Sequence, residues 1–472
     1  MKRFFKILIF FILTLGYCEV QSQNVSWEKL YMNGAIFRGI QTSDGGYAAV
    51  GTTRIQNQFK IFVVRTNSLG DTLWNKIFGS ANNGFTANWI EESYDNGFVI
   101  AGYDGTGIQG DAYLLNIDSA GNYRWSRSYG GNGLDDALRV LKTIDGGYII
   151  GARSDFNLFI IKTDSFGIQQ WQKIFNSDGF IDLIQYNTSG YMVLGYSNGI
   201  GNRLFRLDLN GDTSWTKALI GNSFGSSLRR ISDGNLIIGG STAQNECVVT
   251  KTDSLGIIEW EYQYEGIGRE IIYNLEIIPG NKGYLISGST DSSGNDNFNA
   301  MIRVLDPDGK EKFTKYYSPL FYPSDYAEFR SGVPTFDGGF YLSGSIAPIS
   351  TGIAYMVKTD SLGNFQPVGI TSEELIVPDN FILYQNYPNP FNSSTNISFH
   401  LNESSIVNLI IYNVLGNEIN IILNNEKFNS GKHSIHWNLS NESSGIYFYK
   451  ITVKSTHSFK SKNKVKSMII LK

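Results

Sequence analysis

Only four of the 472 residues are histidine, and His400, His433, His436 and His457 all lie after residue 381. The longer part of the chain therefore lacks the commonest general base and the commonest metal ligand. That leaves it no Ser/His or Cys/His arrangement and no ordinary zinc site. His433 and His436 are three apart on an expected strand, so they face opposite sides and do not share a metal. Cysteine is equally scarce. Cys18 sits in the N-terminal apolar segment, and Cys247, in the run CVV, reads as a small buried hydrophobe rather than a nucleophile. Charged residues make up 17% of the chain, and beyond the N-terminus no stretch holds the ~18 uninterrupted apolar residues of a membrane helix. No cofactor is expected.

The few charges are unevenly divided. Residues 382–472 hold nine Lys and four Glu, net +5; with −4 overall, residues 1–381 carry −4 − 5 = −9. An acidic main part argues against nucleic acid as a partner. In contrast, 51 glycines and 14% aromatic residues suit many short strands joined by tight turns.

The N-terminus reads as an export address. Lys2, Arg3 and Lys6 precede an apolar run from Ile7 to Leu15, followed by small and polar residues. This is the pattern of a secretory signal peptide, residues 1–22, with Val20 and Ser22 fitting cleavage before Gln23. Lipidation at Cys18 is the alternative, and bulky Tyr17 argues against it.

The phrase KTDSLG occupies 251–256 and returns at 358–363, with RTNSLG at 65 and KTDSFG at 162 as near-copies. A catalytic loop is needed once, so a phrase written many times is architecture. Each unit holds an apolar strand, DGGY or a variant, a strand ending in Gly, another apolar strand, and D-S-x-G. The residue after the GG turn is Tyr47, Phe98, Tyr148, Tyr191, Leu236, Tyr284 and Phe340, giving seven units at steps of 43 to 56 residues. A Trp follows each D-S-x-G Gly at 74, 125, 171, 215 and 260, and decays to Phe313 and Phe365. Four short strands per unit match one propeller blade. Asp in these turns can accept from a backbone N–H two residues on, and Gly supplies positive φ. WEKLY at 27–31 matches WNKIF at 74–78 but lacks a preceding strand triplet, so it is expected to complete the seventh blade beside Tyr355–Thr359.

These repeats resemble those of exported bacterial propellers reading T-x-D-G-G-Y then T-D-S-x-G-x-x-x-W, over about residues 24–366. The resemblance implies the fold and says little of activity. D-S-x-G-x-x-x-W is also similar to the tryptophan-docking motif of quinone-dependent dehydrogenases. That family has one more residue between Asp and Gly and often an adjacent Cys pair, which is absent here.

After residues 369–381, which read as a linker, come LYQNYPNPFNSSTNISFHL, VNLIIYNVLGNEI, GKHSIHWN, SGIYFYKITV and KSMIILK. Residues 382–472 resemble the type A C-terminal sorting domain of the type IX secretion system. The motif positions are Tyr387, Pro388, Asn389, Pro390, Phe391, Gly416, Gly445, Tyr447 and Lys472. Val407, Leu409 and Ile411 alternate, as do Tyr447, Tyr449 and Ile451, as expected of a small Ig-like sandwich. The resemblance implies a Bacteroidota-like, secreted or cell-surface protein that meets the secretion translocon and its C-terminal signal peptidase through this segment.

The expected fold class is thus all-β: a seven-bladed propeller over 23–368, then the sandwich. Counting back from each GG turn, the innermost strands offer Arg38, Trp89, Arg139, Asp182, Arg229, Asn274 and Arg330. Such a ring suits a polar ligand such as an extracellular glycan, or a surface protein. The favoured reading is a non-catalytic binding or adhesion module. The rival is a glycoside hydrolase using two of Glu91, Asp136, Asp182, Glu276 and Glu328. DSSGNDNFN at 291–299 has the spacing that opens a calcium loop but lacks its Gly and final Glu, which favours a plain polar hairpin. DTL at 71, DSA at 118 and DSL at 253 and 360 match a bacterial O-glycosylation acceptor, letters the turn demands anyway.

Overall fold

The structure, a computed structural model, describes residues 26–365 and 381–471 apart from loop stretches at 56, 81–82, 107–108, 132, 156, 177, 198–200, 220–222, 265–267, 292–297, 318–325, 347–351, 402–403, 414–416, 439–442 and 456–460. The expected signal peptide and nearly all of the linker and candidate calcium loop lie outside the described residues. Among those described, every regular element is a β-strand. The chain divides into two compact units, Met1–Val368 and Gly369–Lys472.

In the first unit the described strands form seven four-stranded antiparallel sheets. Sheet I runs Ala35–Gln41, Tyr47–Ile55, Gln58–Thr66, Thr72–Phe78, from innermost strand to outermost. Sheets II to VI repeat this order and begin at Gly84, Asp135, Asp178, Ser223 and Arg269. Sheet VII takes Ala327–Pro334, Phe340–Ile346 and Ile353–Thr359 from the end of the unit and its outer strand, Trp27–Asn33, from the beginning. Trp27 pairs with Lys358, Glu28 with Val357 and Tyr31 with Ala354. The orphan WEKLY strand thus stands where its letters place it.

Successive sheets share apolar clusters. Val50 and Val63 of sheet I pack with Phe85 and Ile100 of sheet II, and each following pair has its own cluster. The seventh joins last to first: Trp27, Tyr31, Tyr341 and Met356 of sheet VII with Ile36, Tyr47 and Phe62 of sheet I. The order is cyclic and the fold propeller-like.

The repeated phrase has three local tasks. In every copy the turn Asp, or Asn67 in the first, accepts two backbone N–H groups, two and four residues on. In sheets I, III and VII the Lys or Arg that opens the phrase turns back to the DGG Asp of its own sheet: Arg65 to Asp44 (2.5 Å), Lys162 to Asp145 (2.8 Å), Lys358 to Asp337 (2.9 Å). Burial works against the charge on Asp44, but the Thr42 hydroxyl, the Gly46 N–H and Arg65 outweigh it and hold the carboxyl below its usual range. The Gly of each phrase has positive φ, and in every copy but Gly256 it also lies under the preceding sheet's aromatic residue. A Cβ on Gly70 would come within 2.8 Å of the Trp27 ring, on Gly121 within 3.0 Å of Trp74, and on Gly211 within 2.7 Å of Trp171. The same indoles donate across the gap, Trp27 Nε1 to Ser68 O (3.2 Å) and Trp74 Nε1 to Ser119 O (3.0 Å). Tyr31 and Tyr129 hydroxyls donate to the Gly70 and Gly167 carbonyls, each at 2.6 Å.

The second unit is a sandwich. Phe381–Leu383, Ser394–Leu401 and Gly431–Asn438 form one sheet; Glu418–Phe428, Ser405–Tyr412, Gly445–Ser455 and Ser461–Ile470 form the other. They enclose one core, with Ile397, Phe399 and Trp437 facing Val407, Leu409, Ile411, Tyr449 and Ile451.

Trp27 is buried at the closing seam, whereas Trp74 is only partly buried. Trp27→Ala is expected to cost about 3–5 kcal/mol, and Trp74→Ala less. Denaturant unfolding of both variants checks this, and equal losses would show that the closing strand holds the ring no more tightly than any other.

Candidate functional site

All seven innermost strands carry a β-bulge at one place. Register slips between Ile36 and Arg38, Ala87 and Trp89, Ala137 and Arg139, Phe180 and Asp182, Gly225 and Ser227, Ile272 and Asn274, and Phe329 and Ser331. A bulge re-aims side chains and bends its strand. It also accounts for the Gly near the end of the second strand. A Cβ on Gly51 would lie 1.7 Å from Ala35 O, on Gly102 2.0 Å from Thr86 O, and on Gly344 1.9 Å from Glu328 O.

The bulges correct the sequence alignment of the candidate ring. Arg38, Trp89, Arg139, Asp182 and Asn274 each directly follow the bulge, together with Ser227 and Ser331. Arg229 lies two residues further along its strand, at the level of Glu91 and Glu276, and Arg330 is itself the bulged residue. Counting nine residues back from the residue after the turn gives Ser227 and Ser331, as it gives Arg38, Trp89, Arg139 and Asp182; Arg229 and Arg330 stand seven and ten back, and only the Asn274 strand has a different spacing, ten.

The ring residues nevertheless meet. A cavity of about 280 Å³ is lined by Arg38, Trp89, Arg139, Asp182, Asn274 and Arg330, with Phe37, Asn88, Ser226, Ser227 and Tyr273 among the other walls. Arg229 joins them by bonds: its Nη1 donates to Asp182 Oδ2 (2.8 Å), its Nη2 to Asn274 Oδ1 (3.0 Å) and Glu276 Oε1 (2.7 Å), and its Nε to Glu276 Oε2 (2.7 Å). Arg38 Nη2 donates to Glu276 Oε1 (2.9 Å), and Arg139 Nη1 to Asp182 Oδ1. Trp89 stacks against two guanidinia, the Arg38 and Arg139 Cζ atoms lying 4.0 and 4.4 Å from its ring centre. Arg330 donates to Glu328 (2.5 Å) and lies over Phe37 and Tyr273.

The candidate carboxylates divide by environment. Burial alone would raise Glu276, but Arg229, Arg38 and Arg139 hold it well below the usual carboxylate range. Burial raises Glu91, and Lys142, Arg38 and Arg139 only partly offset it. Asp136 is raised by burial while Arg153 and Asn88 bond it. Glu328 is buried and accepts from the Tyr326 hydroxyl (2.8 Å). Burial and like charges push the Arg38 and Arg139 guanidinia down. Among the described residues no group of three or more His, Cys, Asp or Glu is placed to hold a metal, and no helix is long and apolar enough to cross a membrane. Cys247 is buried, which pushes its thiol up to about 12.

In the second unit, the YPNPF segment is tied to the last strand. Ile469 N donates to Asn389 Oδ1 (2.8 Å), Phe391 N to Ile469 O (3.1 Å) and Leu471 N to Phe391 O (2.9 Å). Phe391 is buried edge-on to Trp437, and Tyr387 is 80% exposed. The Tyr447 hydroxyl donates to Ser443 O, and Gly445 pairs with Ile470. Gly416 and Lys472 lie outside the described residues.

Comparison with known proteins identifies this unit. A family model described as "Secretion system C-terminal sorting domain" matches residues 385–466. The domain marks proteins exported by type IX secretion to the cell surface or extracellular space. No curated protein matches the chain. Solved structures similar to it include Raptor of Chaetomium thermophilum (10% identity, TM-score 0.49, 71% of this chain and 29% of that one) and the Pan2 WD40 domain of Neurospora crassa (11%, 0.46, 71% and 91%). The extracellular domain of a hybrid two-component system of B. thetaiotaomicron matches at 12% identity and TM-score 0.45, over 93% of this chain and 57% of that one. Nothing about activity follows from likenesses of this size.

Two acids in this ring have opposite effects on stability. Glu276 has a depressed folded pKa, so its contribution is present above its ordinary value and lost as pH falls through the folded one. Glu91 has a raised pKa, so it works against folding at pH 7. Glu276→Gln is therefore expected to destabilise the protein at pH 7, and Glu91→Gln to leave stability unchanged or higher. Arg229→Ala removes a guanidinium from two buried carboxylates, leaving Asp182 to Arg139 and Glu276 to Arg38, and costs about 3–5 kcal/mol. Denaturant unfolding at pH 7 and pH 4 measures all three; equal effects of the two Gln variants would overturn this electrostatic reading.

Proposed function

We propose that the chain is a secreted seven-bladed β-propeller that binds a polar ligand at the inner ends of its blades, carried out of the cell by an Ig-like sorting sandwich. The mature propeller is residues 23–368, residues 1–22 are its export signal, and residues 369–381 link it to the sandwich at 382–472. The observation that carries the binding reading is the single cavity that gathers six of the seven candidate residues from separate strands. Here the polar positions come from six sheets and are bonded mainly to one another, as suits a pre-organised binding surface. The partners are an extracellular glycan or surface protein for the propeller, and the translocon and its signal peptidase for the sandwich.

One observation favours the glycoside-hydrolase reading: Glu91 and Glu276 stand at the same level of the ring with acidities pushed apart, the division of labour that acid–base pairs use. Against it, both Glu276 oxygens accept guanidinium N–H groups, which occupies the lone pairs a base or nucleophile would use.

A glycan array and a reducing-sugar assay on the purified chain separate the two. Retention without product supports binding; product release that disappears in Glu91→Gln supports hydrolysis. For export, deletion of residues 382–472 is expected to leave folded propeller in the periplasm and reduce the amount in the medium to background, read by immunoblot of the fractions. Normal release would overturn the role given to the sandwich.

A further inference from the structure

We infer, resting on the binding reading above, that the cavity takes a singly charged carboxylate borne on a ligand the size of one acidic sugar. The cavity wall holds hydrogen-bond donors without acceptors. Arg38 and Arg139 are 7% and 6% exposed and both line the cavity. Arg38 uses Nη2 on Glu276, while its Nε and Nη1 are buried without a partner; Arg139 uses Nη1 on Asp182, and its Nε is likewise unpartnered. Trp89 Nε1, on the indole against which both guanidinia stack, is the fourth such atom.

The acceptors nearby are already engaged. Asp182 Oδ1 takes Arg139 Nη1 and the Leu183 N–H, and its Oδ2 takes Arg229 Nη1 and the Leu228 N–H. Both Glu276 oxygens are held by guanidinia, and Asn274 accepts from Arg229 while donating to Gly332 O. The missing partner is therefore an acceptor. A sugar hydroxyl brings a donor with every acceptor, whereas an ionised carboxylate only accepts, and matches the guanidinium fork. The Trp89 indole is already stacked by its two arginines, so an aromatic platform is not the main attraction.

Charge and size narrow the choice. Arg38, Arg139, Arg229 and Arg330 face Asp182, Glu276 and Glu328, and 4 − 3 leaves +1. Glu91 forms none of these bonds; burial raises its pKa against the lowering by Lys142, Arg38 and Arg139. One carboxylate balances that charge, and a dianionic phosphate would exceed it. The cavity, about 280 Å³, has room for a ring bearing a carboxylate.

The test is isothermal titration calorimetry on the purified full chain with glucuronate, galacturonate, their methyl esters, glucose and inorganic phosphate. At least one acid is expected to bind tenfold or more tightly than its own ester. Arg38→Gln and Trp89→Phe should each weaken that acid at least tenfold; Trp89→Phe keeps an aromatic ring and removes one donor, and serves if Arg38→Gln does not fold. Esters binding as tightly as acids, phosphate binding more tightly than either acid, or no response to the acids while neutral glycans are retained on an array would each overturn the carboxylate assignment and leave the binding reading standing. Hydrolysis of a glycan by the chain would overturn the binding reading, and this inference with it.

Discussion

A four-stranded sheet built from these repeats has two apolar faces, and every other feature of the first unit follows from the need to cover both. Covering one face with the next sheet leaves a first and a last sheet each half bare. The chain removes that end by supplying the seventh sheet's outer strand from its own beginning, so that Trp27 and Tyr31 lie against the Gly70 turn of sheet I as Trp125 and Tyr129 lie against the Gly167 turn of sheet III. Seven cyclic neighbours then have seven apolar clusters. Among the described residues each sheet then has a neighbour on both faces, and the edges that remain are the short outer strands of six or seven residues.

Much of this was legible because it is written in short-range chemistry. DGG and D-S-x-G declare their turns through residues with specific backbone preferences, and the spacing of Trp after Gly records where one sheet touches the next. Three things were not legible. The opening Lys or Arg of the phrase pairs with an Asp about twenty residues earlier, a contact made only when second and third strands align. The bulge leaves no residue signature of its own, since Phe37, Asn88, Leu138, Ile181, Ser226, Tyr273 and Arg330 share no chemistry. Its trace is the Gly opposite, which the repeat displays without saying why. Arg229 and Arg330, seven and ten residues ahead of the post-turn position rather than nine, stand off the level that Ser227 and Ser331 occupy, although both still reach the ring.

The inner ring is where local rules yield to charge. Turn carboxylates lie at the surface and are capped by backbone N–H groups, so their number reports hairpins and not chemistry. Asp182 and Glu276 are different because burial removes them from water, and guanidinia from other sheets compensate, with two backbone N–H groups added at Asp182. Buried ion pairs contribute little net stability over apolar packing and are costly when one partner is missing. Their value is in fixing position. Arg229 ties Asp182 of sheet IV to Glu276 of sheet VI across sheet V, and Arg38 reaches Glu276 from sheet I, so the network holds strands far apart in sequence at set positions around the cavity.

The second unit owes nothing to that network. Its core is drawn wholly from residues 381–470, and none of the other seven clusters contains a residue beyond 365. The two parts also differ in charge, +5 against −9. A sorting domain has to fold whatever its cargo, and a core cluster of its own suits that. The sorting motif itself follows the same economy, because Asn389 and Phe391 are spent on joining the entry segment to the last strand. Tyr387, ahead of those residues, pairs its backbone with Asn396 and leaves its side chain 80% exposed.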